Sequence, residues 1–177
     1  MRNLELKVSA GDEAFTDIVE RARRLGEFRS MSQVDTYFAV PTGRLKLREI
    51  SDGDVRRAEL IGYSRPDESG ARWSEYYRAD FEPSQIAPLI AMMKQTIGVR
   101  TTVRKQRDVV VTGRTRIHLD TVEGLGHFVE LETVVGDEDG DAGAGAELAA
   151  VAEALGLNDL PVVAGSYSDL IDMEERS

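Results

Sequence analysis

The sequence predicts an α+β fold, in which eight antiparallel strands form a β-barrel with a charged interior and helices pack outside it. About eight strand-like segments occur, and most are joined by short turns, which favours antiparallel neighbours. Charged and apolar residues alternate in several of these strands, so one face of the sheet is charged and the other is apolar. Helical segments with apolar stripes interrupt the strands and supply a cover for the apolar face.

The composition is that of a globular protein without disulfides. The chain has 177 residues, of which 41% are hydrophobic and 31% are charged, with no cysteine and a formal net charge of −10. No apolar run is long enough to span a membrane, and the N-terminus lacks the apolar stretch of a secretory signal. We therefore expect one domain over residues 1–177, a cytoplasmic location, and no binding to nucleic acid or membranes. A homodimer is compatible with these features.

The first half of the chain is predicted to supply five strands and one helix. Phe15, Ile18 and Ala22 follow the helical period, and Gly26 ends that segment. Residues 41–43 have the Pro-Thr-Gly sequence of a tight turn, which joins two strands into a hairpin. The predicted helix spans residues 12–25, and the predicted strands span residues 3–8, 33–40, 44–50, 57–65 and 72–79.

The second half is predicted to begin with a helix and then to add three strands. Ile86, Leu89 and Met93 form an apolar stripe in that helix. Residues 136–145 are acidic and Gly-rich, which predicts a mobile loop, and Ser166 with Asp169 gives the capping-box pattern of a short final helix. The predicted helices span residues 86–98 and 146–155, and the predicted strands span residues 99–111, 114–122 and 128–135.

Acidic residues on the first and last strands and basic residues between them suggest what the barrel interior contacts. Glu5 shares a strand face with Lys7, and Glu130 shares one with Glu132. Residues 44–48, Arg-Leu-Lys-Leu-Arg, present bases at alternate positions. Carboxylates are the ligands that Mg²⁺ prefers, and Arg and Lys are the usual partners of phosphate. The pattern predicts a barrel that binds phosphate, whereas alternating charge on any one strand alone is more typical of a solvated face.

Six short motifs, taken together and in order, resemble those of the CYTH superfamily, also called triphosphate tunnel metalloenzymes. The stretch from Asn3 to Lys7 is similar to the ExExK signature, and residues 116–132 most resemble the branch of class IV adenylate cyclases. The resemblance extends from Asn3 to about Tyr167. The matching motifs are NLELK at 3–7, RLKLR at 44–48, YSRP at 63–66, VRKQR at 103–107, RIHLD at 116–120 and FVELE at 128–132.

The resemblance implies a single CYTH domain, an eight-stranded tunnel that holds a triphosphate, and a divalent cofactor, Mg²⁺ or Mn²⁺. Three carboxylates suffice to hold such an ion beside phosphate oxygens, and several cations are needed to balance a triphosphate. For Asp120, the alternative to a catalytic role is a structural one, in which it forms a salt bridge with a tunnel arginine. The candidate metal ligands are Glu5, Glu130 and Glu132; the candidate catalytic residues are Lys7, Arg116 and Asp120; and the candidate phosphate-binding residues are Lys46, Arg48, Arg65, Lys105 and Arg107.

Three positions keep more than one interpretation. Asn3 stands where the family has the first glutamate, and its neutral amide is expected to weaken the metal site. His118 shares strand parity with Arg116 and Asp120, but a lone histidine more often has a structural role. Trp73 and Tyr76 suit either exterior packing or a platform for base stacking.

Three functions are compatible with this sequence. The first is a class IV adenylate cyclase-like reaction, in which a ribose hydroxyl attacks the α-phosphorus of ATP to give cyclic AMP and pyrophosphate. The second is hydrolysis of tripolyphosphate, thiamine triphosphate or a nucleoside triphosphate. The third is a non-catalytic module that binds polyphosphate, which Asn3 makes plausible. Each has a small-molecule polyanion as its partner.

Overall fold

The computed structural model describes residues 2–64, 72–135 and 140–174, which contain eight strands and four helices. The strands are β1 Arg2–Ala10, β2 Glu27–Phe38, β3 Arg44–Asp52, β4 Val55–Ser64, β5 Arg72–Phe81, β6 Val99–Thr112, β7 Thr115–Val122 and β8 Gly126–Val134. The helices are α1 Asp12–Arg23, α2 Pro83–Thr96, α3 Gly140–Leu155 and α4 Tyr167–Glu174.

The strands form one closed antiparallel barrel. Their order around the barrel is β1-β5-β4-β3-β2-β6-β7-β8, and β8 pairs back with β1, where Lys7 lies opposite Glu130. In the described residues each strand therefore has a hydrogen-bonded neighbour on both sides. An eight-stranded barrel is just wide enough to enclose side chains or one small ligand. The predicted α+β fold with an eight-stranded barrel is confirmed.

The main apolar core lies outside the barrel, between its wall and the helices. Val8, Ile117 and Leu131 project outward from three neighbouring strands and are fully buried against Ile18 of α1 and Leu148 of α3. On the opposite side, α2 covers a second apolar cluster. Because side chains alternate along a strand, the residues between these apolar positions face the barrel interior. The charged face of the sheet is therefore the inner one.

Helix α4 closes one end of the barrel. Tyr167, at its first position, packs with Tyr37 and Phe128. The backbone N–H and the hydroxyl of Ser166 both donate to the Asp169 carboxylate, at 2.8 and 2.7 Å, so Asp169 supplies the predicted N3 half of the capping box. Asp169 also accepts hydrogen bonds from Arg44 of β3 and from Arg100 of β6. These bonds tie the helix to two strands of the wall.

Strand β2 begins at Glu27, six residues earlier than the predicted start at residue 33. Apart from Phe28, its extra residues lack the β-branched and aromatic side chains that are frequent in the rest of the strand. They become strand because β6 pairs with β2 along its whole length, from Glu27 opposite Val111 to Phe38 opposite Val99. Long-range pairing outweighs local propensity here.

The predicted loop over residues 136–145 is helical in its second part, because α3 begins at Gly140. Residues 136–139 lie outside the described residues. Ala144 is fully buried in the core, so packing against the barrel offsets the cost of the glycines in this turn. Helix α2 likewise begins three residues before its predicted start, at Pro83, which places Pro88 in its second turn.

None of the helices in the described segments is both long and apolar enough to cross a membrane.

We predict that Asp169→Asn loosens α4 from the barrel. Burial raises the pKa of Asp169, but the Ser166 hydrogen bonds and Arg44 outweigh burial and lower that pKa to about 2. The carboxylate therefore stays charged in mild acid, and its contribution to stability is lost only as the pH falls from about 4 towards 2. At neutral pH the substitution removes that charge, and amide hydrogen exchange in residues 167–174 is expected to accelerate.

Asp172→Asn is the matched control, because Asp172 accepts only from Arg100 among the described residues. Equal exchange rates in α4 of the wild type and the Asp169→Asn variant would contradict this account.

Candidate functional site: a charged cavity inside the barrel

The barrel encloses a cavity of about 290 Å³ whose wall is dominated by charged side chains. Among the described residues, eight Lys or Arg side chains and four Glu side chains line it. The bases are Lys7, Lys46, Arg48, Arg57, Arg78, Lys105, Arg107 and Arg116, and the acids are Glu5, Glu59, Glu130 and Glu132.

A buried aspartate on β2 holds one pair of these bases. Asp35 is 1% exposed and accepts hydrogen bonds from Arg48 Nε and Nη2 at 2.7 and 2.8 Å and from Lys46 Nζ at 2.9 Å. Burial raises the pKa of Asp35, but Arg48 and then Lys46 outweigh it and hold that pKa well below its usual range. The carboxylate is therefore ionised, and it fixes both cations in place along the cavity wall.

A second aspartate, on β7, holds another pair in the same manner. Asp120 is fully buried and accepts from Arg107 Nε at 2.6 Å and from Lys105 Nζ at 3.1 Å. The Tyr167 hydroxyl of α4 also donates to it, at 2.8 Å. Asp120 is absent from the cavity wall, so the geometry favours its alternative role as a structural ion-pair partner over direct contact with a ligand.

The two arrangements have the same composition and geometry, although they lie on different strands. Lys46 and Arg48 on β3, and Lys105 and Arg107 on β6, form Lys-x-Arg pairs on the inner face, and each pair is held by an aspartate from the adjacent strand. We call these the Asp35 clamp (Asp35, Lys46, Arg48) and the Asp120 clamp (Asp120, Lys105, Arg107). Sequence reasoning missed Asp35. The hairpin turn at residues 41–43 was the available signal, since pairing through it places Asp35 opposite Arg48.

An acidic group, consisting of Glu130 and Glu132, lies beside the Asp120 clamp. Glu130 accepts from Arg107 at 3.2 Å and forms a salt bridge with Lys7 at 3.2 Å. Burial raises the pKa of Glu130, but Lys7, the His118 imidazole and Arg107 hold it well below its usual range. Glu132 forms its salt bridge with Arg116, at 3.7 Å. Ligand atoms of His118, Glu130 and Glu132 all lie within 4.8 Å of one another, so these three residues could hold a metal ion.

The structure brings nine of the eleven residues predicted for the site onto the cavity wall. Asp120 lies behind the wall, and Arg65 lies outside the described residues. Glu5 lines the cavity opposite Glu132 but is not a member of the group within 4.8 Å, a place that His118 takes among the described residues. Arg116 is the most exposed of the predicted residues that the structure describes, with 42% of its side chain accessible.

Asn3 does not reach the cavity wall in the described part of the chain. It has the predicted parity with Glu5 but is 1% exposed, and its Oδ1 has no hydrogen-bond partner among the described residues. A glutamate at this position would place a carboxylate where an amide oxygen already lacks a partner. The structure therefore gives no direct contact through which Asn3 would act on a bound ligand.

Aromatic residues line the cavity near the Asp35 clamp. Tyr63 on β4 lies directly opposite Tyr76 on β5, and both line the cavity. Lys46 Nζ is 5.8 Å from the centroid of the Tyr63 ring. Of the two interpretations of Tyr76, the geometry therefore favours an inward position, while the side chain of Trp73 lies outside the described residues.

Comparison with known structures finds the same fold in proteins of low sequence identity. A Pyrococcus horikoshii protein, PH1012, is 22% identical, with a TM-score of 0.76 and coverage of 95% of this chain and 98% of its own. A proposed adenylate cyclase from Vibrio parahaemolyticus is 23% identical, with a TM-score of 0.66 and coverage of 96% and 97%. Hippeastrum HpAC1, a proposed adenylyl cyclase described as having a dominant triphosphatase activity, is 15% identical, with a TM-score of 0.59 and coverage of 93% and 91%. No curated protein sequence matches.

The closed barrel and its charged, enclosed cavity define the class of β-tunnel proteins. The model of the CYTH domain matches residues 1–167, and the chain belongs to that family. The solved structures support the fold alone, because each is less than 25% identical to this chain.

We predict that Asp35→Asn lowers the free energy of unfolding by roughly 3–5 kcal/mol, because it leaves Lys46 and Arg48 buried without their counter-charge. Tripolyphosphate is expected to restore part of that loss, since its charge replaces the missing carboxylate. Urea unfolding with and without tripolyphosphate measures both effects. Asp54→Asn, at an exposed turn position, is the control and should leave stability within about 0.5 kcal/mol. A similarly small effect at Asp35 would contradict the proposed role of the clamp.

We predict that Lys105 takes up a proton when a polyphosphate binds to the protein above neutral pH. Burial and then Arg107 lower the pKa of Lys105 to about 7, against the opposing effect of Asp120. At pH 8 the amine is therefore largely neutral, and a polyanion that raises this pKa should draw roughly one proton from the buffer. Isothermal titration calorimetry in buffers of different ionisation enthalpy measures this uptake, which should be smaller at pH 6.

Lys105→Met serves as the control because it keeps an unbranched side chain but cannot titrate. Proton exchange that belongs to the polyphosphate itself appears in both proteins and cancels in the difference. An identical uptake in wild type and variant would show that Lys105 does not titrate in this range.

Proposed function

We propose that this chain is a metal-dependent enzyme that converts a nucleoside or other organic triphosphate in the tunnel, with cyclisation of ATP to cyclic AMP and pyrophosphate as the leading reaction. The observation that carries this proposal is the Asp35 and Asp120 clamps together with the acidic group in one enclosed cavity. The clamps provide fixed cations for phosphate oxygens, and Glu130 and Glu132 provide carboxylates for a divalent ion.

The charge balance of the cavity favours a triphosphate together with a divalent cation. Once Lys105 is protonated, the eight described bases exceed the four lining glutamates and the two buried aspartates by two positive charges. A triphosphate brings roughly four negative charges. A divalent ion beside the glutamates supplies the remaining two positive charges, so that the complex is close to neutral. Mg²⁺ or Mn²⁺ is the proposed ion, and it would be held by Glu130 and Glu132.

The chain's own residues would position and polarise the substrate. Lys46, Arg48, Lys105 and Arg107 would hold the phosphate oxygens, and because the aspartates already orient them, little reorganisation is needed as charge develops in the transition state. In the cyclase reaction the ribose 3′-hydroxyl attacks the α-phosphorus, loses its proton, and pyrophosphate leaves. Lys7 and Arg116 lie beside the acidic group, where they would stabilise the developing negative charge. The bound ion would contribute Lewis-acid stabilisation of the phosphoryl oxygens.

The aromatic side chains support an organic triphosphate over an inorganic one. Tyr63 and Tyr76, together with Ile61, contribute apolar surface to the cavity that a bare polyphosphate would not use. This surface lies next to Lys46 of the Asp35 clamp. A nucleobase or thiamine ring attached to the triphosphate could stack there.

Hydrolysis of the terminal phosphate is the second candidate. It uses the same cations and metal ligands with water as the nucleophile, and the Hippeastrum protein of the same fold is described as mainly a triphosphatase. Incubation with ATP, thiamine triphosphate or tripolyphosphate, each with Mg²⁺ or Mn²⁺, distinguishes the reactions by their products. Cyclic AMP with pyrophosphate identifies a cyclase, orthophosphate identifies a hydrolase, and binding without turnover identifies a non-catalytic module and rejects the proposal.

We predict that Glu132→Gln lowers turnover by roughly 100-fold at ordinary metal concentration, because the amide is a much weaker ligand than the carboxylate. Glu132 is a cleaner test than Glu130, because the Glu130 carboxylate also forms ion pairs with both Lys7 and Arg107. Glu123→Gln, at an exposed turn position, is the matched control. Full activity in Glu132→Gln, measured by initial rates across a metal titration, would show that this carboxylate does not serve the metal.

A further inference from the structure

The imidazole of His118 faces the acidic group with one nitrogen unsatisfied. His118 lies on β7 directly opposite Glu130 of β8, and only 5% of the residue is exposed. Its Nδ1 has no hydrogen-bond partner among the described residues. Buried polar atoms in folded proteins nearly always have a partner, and leaving one without costs free energy. The structure therefore retains an unpaired donor atom at the edge of the acidic group.

The distances from this nitrogen suit two carboxylates that share an ion with it. Nδ1 lies 3.6 Å from Glu130 Oε2 and 3.9 Å from Glu132 Oε1. Both separations exceed that of a good hydrogen bond. Two ligand atoms that each lie about 2.1 Å from one ion are roughly 3.0–4.2 Å apart, depending on the angle between them. Both distances from Nδ1 therefore fall in the range for two ligands of one metal ion and are too long for strong hydrogen bonds.

The donor set has a consequence for metal preference. Mg²⁺ favours oxygen ligands alone, whereas a site with a nitrogen ligand binds first-row transition ions with an affinity that is lowest for Mn²⁺ and higher for Co²⁺. We propose that His118 Nδ1 is a metal ligand alongside Glu130 and Glu132, and that it makes the tunnel select a divalent transition ion such as Mn²⁺ or Co²⁺ over Mg²⁺. This rests on the proposed function only in that the ion occupies the same tunnel, and it replaces the structural role that a lone histidine suggested.

The test is a direct measurement of metal binding by the tag-free chain without substrate. Mn²⁺ binding is followed by electron paramagnetic resonance, and pulsed measurements detect coupling between bound Mn²⁺ and ¹⁴N of a coordinated imidazole. The chain has only two histidines, so the signal is assignable. His127, which stacks on Phe15 and bonds Thr121, is the control. The proteins compared are the wild type, His118→Ala, His118→Asp and His127→Ala.

We expect ¹⁴N coupling in the wild type and in His127→Ala, and its loss in His118→Ala and His118→Asp. The preference for Mn²⁺ over Mg²⁺, taken from competition titrations, should fall at least about 10-fold in His118→Asp, which replaces nitrogen by oxygen. Bound Mn²⁺ without ¹⁴N coupling in the wild type would overturn the proposal whether or not the variants fold. So would an unchanged preference in His118→Asp, or the absence of any binding.

These outcomes are independent of catalysis. Nitrogen coupling without turnover of any triphosphate would sustain the metal site and reject the proposed enzyme. Turnover without nitrogen coupling would do the reverse.

Discussion

The structure depends on the neutralisation of cations inside a narrow barrel. Four cations project into one cavity: Lys46, Arg48, Lys105 and Arg107. Like charges close together repel more strongly inside a protein than in bulk water. Asp35 and Asp120 offset this repulsion at the wall, each through a forked contact with an arginine and a single contact with a lysine. The aspartates hold the cations in fixed positions but leave an excess of positive charge for a ligand. The cavity is thus suited to a polyanion.

This arrangement requires that the apolar core lie outside the barrel. Each strand has two faces, and the inner one is occupied by charge. Val8, Ile117 and Leu131 therefore bury their side chains against α1 and α3. The helices supply hydrophobic stabilisation that the charged barrel interior does not, through this outer layer and its counterpart under α2. The function of the inner face can then vary without loss of the core.

Tyr167 connects the cavity to the end of the chain. Its hydroxyl donates to Asp120, and its ring lies 4.3 Å from Lys7 Nζ and 4.9 Å from Lys105 Nζ. Helix α4 is therefore part of the charge arrangement as well as the cover of one barrel end. The sequence predicted the N-terminal cap of this helix but not its contacts, because a pattern within eight residues does not specify which distant strands the helix packs against.

The sequence alone determined the strand faces, the order of most elements and most of the charged residues that face inward, because side-chain alternation and turn chemistry are local properties. It also marked Glu130 and Glu132. Tertiary structure alone decided which charges are partners. Asp35 became recognisable only when β2 and β3 paired, and His118 joined Glu130 and Glu132 only through the register of β7 with β8. The register between neighbouring strands sets which side chains are close enough to interact, and the alternation of residues within one strand does not specify that register.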